Sequence, residues 1–98
     1  MYIIRDIFHL KFGHFKDAKG LLDQAMKSGM MPQTQSVRVL SDFTGPSYRL
    51  IFEEGYNSLA DYEASLTSSM GEEEWKKWYE QFKQHVDSSY REILKEMK

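Results

Sequence analysis

Residues 34–56 read TQSVRVLSDFTGPSYRLIFEEGY, and this stretch decides the fold. Two runs rich in β-branched, aromatic and leucine side chains meet at Thr44-Gly45-Pro46. This pattern is typical of an antiparallel β-hairpin whose short loop contains a glycine. The remaining segments of the chain can be arranged around this pair of strands.

The two predicted strands each present one set of side chains to either face of a sheet, because successive residues point to opposite sides. One face would carry Val37, Val39, Ser41, Phe43, Tyr48, Leu50, Phe52 and Glu54, and the other Ser36, Arg38, Leu40, Asp42, Ser47, Arg49, Ile51 and Glu53. The first set is mainly apolar, whereas the second mixes leucine and isoleucine with arginines and acids. Such a mixed face favours a surface that is covered, although not by a dry core.

Composition limits the class of protein. A chain of 98 residues with 41% hydrophobic and 14% aromatic content predicts one globular domain spanning residues 1–98. The net charge of −2 is spread along the chain without a basic stripe, so no nucleic-acid partner is expected. The lack of cysteine excludes disulfides and thiolate zinc sites. Arg5 and Asp6 precede any long apolar run, so we expect no secretory signal, no membrane partner and a cytoplasmic location.

The segments before and after the hairpin predict further strands and helices. Residues 2–11 alternate as a first strand, and Phe15 to Ser28 carry apolar residues at helical spacing, with Gly29 as C-terminal cap and Pro32 beyond it. Ser58 is a predicted N-cap of a second helix, which Gly71 divides in two. The last residues are good helix formers, but Asp87-Ser88-Ser89 favours a break, so helix and strand both remain open there.

Four segments carry a family resemblance. They are Arg38 to Glu53, SLADYEA from Ser58, WYEQF from Trp78 and YREIL from Tyr90. In these the chain resembles the NIPSNAP-like members of the dimeric α/β-barrel superfamily, which are related to antibiotic-biosynthesis monooxygenases. The resemblance covers nearly the whole chain, and its motifs are mostly structural.

The resemblance implies an α+β, ferredoxin-like βαββαβ domain with a split second helix and a four-stranded antiparallel sheet. It implies that the final segment, about 89–96, is a strand. It also implies a homodimer in which two sheets pack face to face as a dimeric α/β barrel, with a cavity in each subunit between sheet and helices.

The histidines His9, His14 and His85 have no recognisable metal-ligand spacing, so we predict no metal and no cofactor. Trp75 and His85 stand at a separation similar to that of the tryptophan and heme-ligating histidine in heme-degrading relatives. Those relatives pair them with a first-strand asparagine, whereas this chain has Asp6. Heme binding through His85 is therefore the lowest of our functional hypotheses.

The helix face formed by Trp75, Trp78, Tyr79 and Phe82 is typical of a hydrophobic core, but in related cofactor-independent monooxygenases such aromatic residues hold an aromatic substrate. A charged arginine would stabilise an enolate or phenolate there. The candidate cavity-lining residues are Arg5, Tyr48, Arg49, Trp75, Trp78, Tyr79 and His85. The alternative for the strand arginines is pairing with Asp6, Asp42, Glu53 or Glu54 across the sheet, or closing the dimer seam.

We therefore expect a small homodimeric protein that binds a hydrophobic or aromatic metabolite in a cavity between sheet and helices. The alternative is a cofactor-independent monooxygenase acting on an aromatic substrate. No catalytic residue is assigned, because no base suited to proton removal stands out in the sequence.

Overall fold

The computed structural model describes residues 1–28, 36–66 and 72–97. Its elements are β1 (Tyr2–Leu10), α1 (Phe15–Lys27), β2 (Ser36–Ser41), β3 (Arg49–Tyr56), α2 (Leu59–Ser65), α3 (Glu72–Lys83) and β4 (Val86–Lys95). This order is the predicted ferredoxin-like arrangement with a second helix in two pieces, and the prediction of the fold class is confirmed.

The four strands form one antiparallel sheet in the order β2-β3-β1-β4. The central strand β1 pairs with β3 from Tyr2 opposite Tyr56 to His9 opposite Arg49. On its other side β1 pairs with β4, and the register shifts between His9 and Leu10. The final segment is therefore a strand, as the family resemblance implies.

The hydrophobic core lies between one face of the sheet and the helices. Its buried members come from β1, α1, β3 and α3, and they are Leu10, Ala18, Leu22, Ala25, Leu50, Phe52, Trp78 and Phe82. The Phe82 ring packs edge-on against Phe8 and is stacked on Trp78, with 4.9 Å between ring centroids in both cases. We call this side of the sheet the helix face and the opposite side the open face.

The helix ends follow local chemistry where the structure describes them. The Ser58 side chain accepts a hydrogen bond from the Asp61 amide at 3.1 Å, which confirms the predicted N-cap of α2. The predicted helix cap at Gly29 and the predicted interruption at Gly71 lie outside the described residues. Val86 follows Phe82 at helical spacing in the sequence, and this pattern predicts that it extends the aromatic face of the helix. That prediction is wrong, because α3 ends at Lys83 and Val86 begins β4.

The loop of the β2–β3 hairpin is wider than predicted, since residues 42–48 all lie outside the strands. The Asp42 carboxylate accepts hydrogen bonds from the Arg49 backbone N–H (3.3 Å) and from Nη2 of the same residue (2.8 Å). Ser47 and Tyr48 both have positive φ, at 68° and 56°, a conformation that side chains seldom adopt. The ion pair thus closes a broad, locally strained loop in place of the expected tight turn.

Candidate functional site

A cluster of polar side chains interrupts the apolar helix face near the α2 end of the sheet. Glu54 and Tyr56 lie on β3, Asp6 on β1 and Arg91 on β4. The strand registers bring them together, because Ile4 of β1 stands opposite Glu54 while Asp6 stands opposite Arg91. Tyr62 and Ser65 of α2 cover the cluster from above the sheet. We refer to these six residues as the polar cluster.

Glu54 is the buried acid of the polar cluster, with a relative exposure of 6%. Its Oε2 atom lies 2.8 Å from the Tyr56 hydroxyl, which in turn lies 3.1 Å from Ser65 Oγ. The Ser65 hydroxyl donates to the backbone carbonyl of Tyr62 at 2.6 Å. These groups form a continuous chain of three short polar contacts that runs from a carboxyl group to a carbonyl oxygen.

Burial and hydrogen bonding shift the pKa of Glu54 in opposite directions. A carbonyl oxygen only accepts, so the Ser65 proton points towards Tyr62, and the Tyr56 hydroxyl has one proton for its two neighbours. When the Tyr56 hydroxyl donates this proton to Glu54 Oε2, the hydrogen bond favours the ionised carboxyl. Burial raises the pKa of Glu54 and the nearby Asp6 charge raises it further, and together these effects outweigh the lowering by the Tyr56 hydrogen bond and by the Arg91 charge.

Arg91 supplies the positive charge of the polar cluster. Its Nε donates to Asp6 Oδ1 at 2.6 Å, and its Nη1 donates to the Tyr62 hydroxyl at 2.7 Å. The hydrogen bond with Asp6 raises the pKa of Arg91, so the guanidinium keeps its charge. Its side chain is 51% exposed, so one edge of the polar cluster faces solvent.

The tyrosine rings provide flat apolar surface beside these charges. The Tyr56 and Tyr62 ring centroids lie 5.4 Å apart, and the Arg91 guanidinium lies 6.0 Å from the Tyr62 ring centroid. Burial raises the pKa of the Tyr62 phenol, although the Arg91 charge opposes this effect. The arrangement combines a buried acid with a raised pKa, a cation that would stabilise an anion, and rings against which a planar molecule can stack.

Three predicted site residues come together on α3, but they divide between core and surface. Trp78 is buried, and its indole N–H donates to the Leu21 carbonyl at 2.8 Å, so its polar atom is satisfied within the fold. Trp75 and Tyr79 are 39% and 44% exposed. Trp75 stacks on both Trp78 (5.2 Å between centroids) and Tyr79 (6.0 Å).

The two predicted arginines lie on the open face, on the opposite side of the sheet from the polar cluster. Arg5 donates to Glu53 Oε2 through Nε (3.1 Å) and Nη2 (3.0 Å), and Arg38 donates to Glu53 Oε1 through Nε (2.9 Å) and Nη2. Arg49 pairs with Asp42 at the hairpin loop. These pairs agree with the alternative interpretation of the strand arginines.

Tyr48 and Arg49 line a surface groove of about 420 Å³ at the hairpin loop, together with Phe15 and the loop residues. Phe43 at this loop is fully exposed, and Phe12 packs against the Tyr48 ring with 5.2 Å between centroids. His85, the last predicted site residue, pairs with His14. Heme binding by His85 stays a prediction.

The sequence contained one sign of the polar cluster. Strand alternation places Glu54 on the same face as Leu50 and Phe52, and an acid in an apolar row is typical of a buried functional group. The contact between Asp6 and Arg91 joins residues from opposite ends of the chain. It could not be found without the register of β1 and β4.

Comparison with solved structures identifies the fold. A NIPSNAP family protein from Agrobacterium tumefaciens superimposes with a TM-score of 0.83 at 18% identity, covering 98% of this chain and 92% of that one. A NIPSNAP domain protein from Burkholderia xenovorans gives 0.83 at 8% identity, with coverage of 99% and 95%. An antibiotic biosynthesis monooxygenase gives 0.71 at 12% identity over the full length of both chains. No family model and no curated protein matches the sequence. The predicted NIPSNAP-like fold is confirmed.

Proposed function

We propose that this chain with a NIPSNAP-like fold is a homodimeric binding protein for a small aromatic molecule bearing a hydroxyl or carbonyl group. The ligand would enter between the sheet and α2, at the solvent-facing edge of the polar cluster. The observation that carries the proposal is the buried Glu54 carboxyl at the head of the Tyr56–Ser65 hydroxyl chain, beside the Arg91 charge.

The chemistry of the polar cluster supports an oxygen-bearing aromatic ligand. A protonated carboxyl donates to a carbonyl or phenolate oxygen, and a guanidinium stabilises the negative charge on such an oxygen. The Tyr56 and Tyr62 rings favour stacking with a planar partner. A purely aliphatic ligand would leave the acid and the cation unused.

The open face supports the homodimer. Among its apolar side chains, Tyr90 and Leu94 of β4 are 48% and 41% exposed, and Ile3 and Leu40 are partly exposed. The charged residues between them are already paired with one another, as Arg5 and Arg38 are with Glu53. A second copy would bury this apolar area without leaving an unpaired charge. Sedimentation equilibrium should give about twice the 11.6 kDa of one chain, and a single-chain mass at micromolar concentration would contradict the dimer.

No helix among the described residues is long and apolar enough to cross a membrane. The ligand is sought with a panel of phenols, quinols and hydroxylated aromatic ketones, which combine a planar ring with the oxygen that the polar cluster would bind. Binding is measured by thermal shift and calorimetry on the wild-type chain, on Glu54→Leu and on the control Glu92→Leu, which changes an acid of the open face.

We expect at least one compound of the panel to bind, with an affinity at least tenfold lower for Glu54→Leu and unchanged for Glu92→Leu. Leucine fills a similar volume but has no group that donates to a ligand oxygen. No binding across the panel, or equal affinity for wild type and Glu54→Leu, would contradict the proposal.

The stability of Glu54→Gln provides a second measurement. The folded state raises the pKa of Glu54, so ionisation of the group opposes folding as pH rises through the folded pKa. We therefore expect the stability of Glu54→Gln relative to wild type to be greater at pH 8 than at pH 4. At pH 4 the acid is largely protonated in both the folded and the unfolded state. A difference in stability that does not change between pH 4 and pH 8 would mean that Glu54 is an ordinary carboxylate.

A cofactor-independent monooxygenase is the second candidate, favoured by the full-length similarity to a monooxygenase fold. An ionised Glu54 would take a proton from the substrate, and Arg91 would stabilise the resulting anion. The anion would then react with dioxygen, converting a CH₂ group to a carbonyl with release of one water molecule. Oxygen uptake that requires both a panel compound and Glu54 would support this reaction. Binding without oxygen uptake would contradict it and support only the binding function.

A further inference from the structure

Two imidazoles face each other at the opposite end of β1 from the polar cluster. His14 precedes α1 and His85 lies in the turn between α3 and β4. Their Nδ1 atoms are 2.9 Å apart, the ring centroids are 5.1 Å apart and the ring planes meet at 53°. Both residues are partly buried. A single proton can occupy the space between the two nitrogen atoms, so at least one ring presents a lone pair there.

Backbone hydrogen bonds link both histidines to the same residue, Lys11. The Lys11 amide donates to the His85 carbonyl at 2.9 Å, and the His14 amide donates to the Lys11 carbonyl at 3.0 Å. On their other sides, the His85 amide donates to Phe82 and the His14 carbonyl accepts from Ala18, both at 3.0 Å. The two Cα positions are therefore fixed by the fold, and rotations of the rings that keep the two nitrogens about 2.9 Å apart would direct both lone pairs at a shared ion.

We propose that His14 and His85 form a two-imidazole site for a divalent transition-metal ion, with Cu²⁺ as the preferred ion and Ni²⁺ as a weaker one. The imidazole nitrogen is a common ligand of these ions, and affinity rises towards Cu²⁺ along the first row. The proton between the rings would be displaced when the ion binds.

The separation of the nitrogen atoms favours the coordination geometry of these ions. With metal–nitrogen bonds of about 2.0–2.1 Å, two nitrogens 2.9 Å apart subtend an angle of about 90° at the metal. This is the angle between neighbouring ligands in a square-planar or octahedral complex, the geometries of Cu²⁺ and Ni²⁺. The tetrahedral angle of Zn²⁺ would need the nitrogens about 3.3 Å apart.

The remaining coordination positions would be open. No group of three or more His, Cys, Asp or Glu residues within 1–28, 36–66 and 72–97 is placed to hold a metal ion. Water or a small donor molecule would complete the coordination of an ion held by two rings. An ion bound in this way would be exchangeable, unlike the closed sites of structural metals.

The test is a titration of the purified full chain with Cu²⁺, Ni²⁺ and Zn²⁺ in turn, followed by calorimetry and, for Cu²⁺, by electron paramagnetic resonance. The variants are His14→Ala, His85→Ala, the double variant and His9→Ala as control. His9 is the third histidine, and it stacks on Tyr90 of the open face, with 6.3 Å between ring centroids. Thermal melting of each variant shows whether it is folded, and His14→Gln and His85→Gln replace any alanine variant that is not.

We expect one Cu²⁺ per chain, a tetragonal spectrum with two equivalent nitrogens, and tighter binding of Cu²⁺ than of Zn²⁺ by tenfold or more. Each single variant should bind Cu²⁺ at least tenfold more weakly, the double variant should lose the nitrogen signature, and His9→Ala should match the wild type. Copper binding that survives in the double variant, or that falls equally in His9→Ala, would overturn the proposal. Because Glu54 lies far from these rings in the strand register, its variants test the proposed function separately.

Discussion

Replacing Glu53 by glutamine tests how the open face of the sheet is stabilised. The side chain of Glu53 is only 4% exposed, and it accepts four N–H groups from Arg5 and Arg38. Glutamine has nearly the same shape but is neutral, and only its carbonyl oxygen accepts hydrogen bonds, because its NH₂ group donates. Glu53→Gln therefore removes a charge from between two guanidinium groups with little change in packing.

The expected loss in the free energy of unfolding follows from the exposure of the partners. Hydrogen bonds to charged groups contribute about 1.5–3 kcal/mol each when shielded from water, and exposed ion pairs only about 0.2–1 kcal/mol. Arg5 and Arg38 are 34% and 67% exposed, so solvent screens both pairs. We therefore expect a loss of about 1–3 kcal/mol at pH 7, which lowers Tm by about 4–8 °C for each kcal/mol in a domain of this size.

The pH dependence of stability distinguishes the effect of the Glu53 charge from the effect of its shape. Burial alone would raise the pKa of Glu53, but the hydrogen bonds from Arg38 and Arg5 outweigh burial and hold the pKa below its usual range. Because the folded pKa is depressed, this stabilisation is present above the unfolded value of 4.5 and is lost as pH falls through the folded pKa. The difference between wild type and Glu53→Gln should therefore shrink as pH decreases from 7 to 3.

The assay is urea denaturation at several pH values and one fixed protein concentration, because self-association would shift the apparent stability. Glu92→Gln is the matched control, since Glu92 faces Arg5 at 3.8 Å and its side chain is 41% exposed. We expect the control to lose less than about 0.5 kcal/mol. Wild-type stability of Glu53→Gln at pH 7, or an equal loss at pH 3 and pH 7, would refute the reasoning.

Three further predictions concern the stability of the fold and are measured by denaturant unfolding. Phe82→Ala should cost about 3–5 kcal/mol because Phe82 is 1% exposed, whereas the exposed Tyr79→Ala should cost less than about 1 kcal/mol. Gly55→Ala should change stability by less than about 1 kcal/mol, because the atom nearest to the new Cβ is the hydroxyl oxygen of Ser36, an exposed side chain that can turn away, while Gly20→Ala, with nothing within 4 Å, should stabilise α1 by about 0.5–1 kcal/mol. Ser58→Ala should cost about 1 kcal/mol through loss of the α2 cap, and unchanged stability would contradict that role.

The strands could be predicted from the sequence because alternation is a local property. The faces assigned to residues 36–41 and 49–54 agree with the observed pairing, in which Val39 stands opposite Phe52 and Leu40 opposite Ile51. The width of the hairpin loop could not be predicted in this way. Asp42 and Arg49 form an ion pair instead of extending the ladder, and only their distance in three dimensions reveals that preference.

The polar cluster required information that local patterns do not contain. In the sequence, Glu54 stands out as an acid on an otherwise apolar strand face. The other members of the cluster, such as Ser65 and Arg91, come from α2 and β4. The histidine pair is similar, because His14 and His85 are far apart in the sequence and meet only through the turns that flank α1 and β4. Spacing rules detect sites within one helix or loop, and both of these sites are assembled from several elements.

The position of β1 has a consequence for the synthesis of the protein. This strand leaves the ribosome before both of its neighbours, since it pairs only with Arg49–Tyr56 and Val86–Lys95. Until β4 has been translated, one edge of β1 has no hydrogen-bonding partner. Such unpaired edges can pair with strands of other nascent chains. The sheet can be completed only after β4 has been translated, so a chaperone that shields Tyr2–Leu10 in the interval would reduce such association.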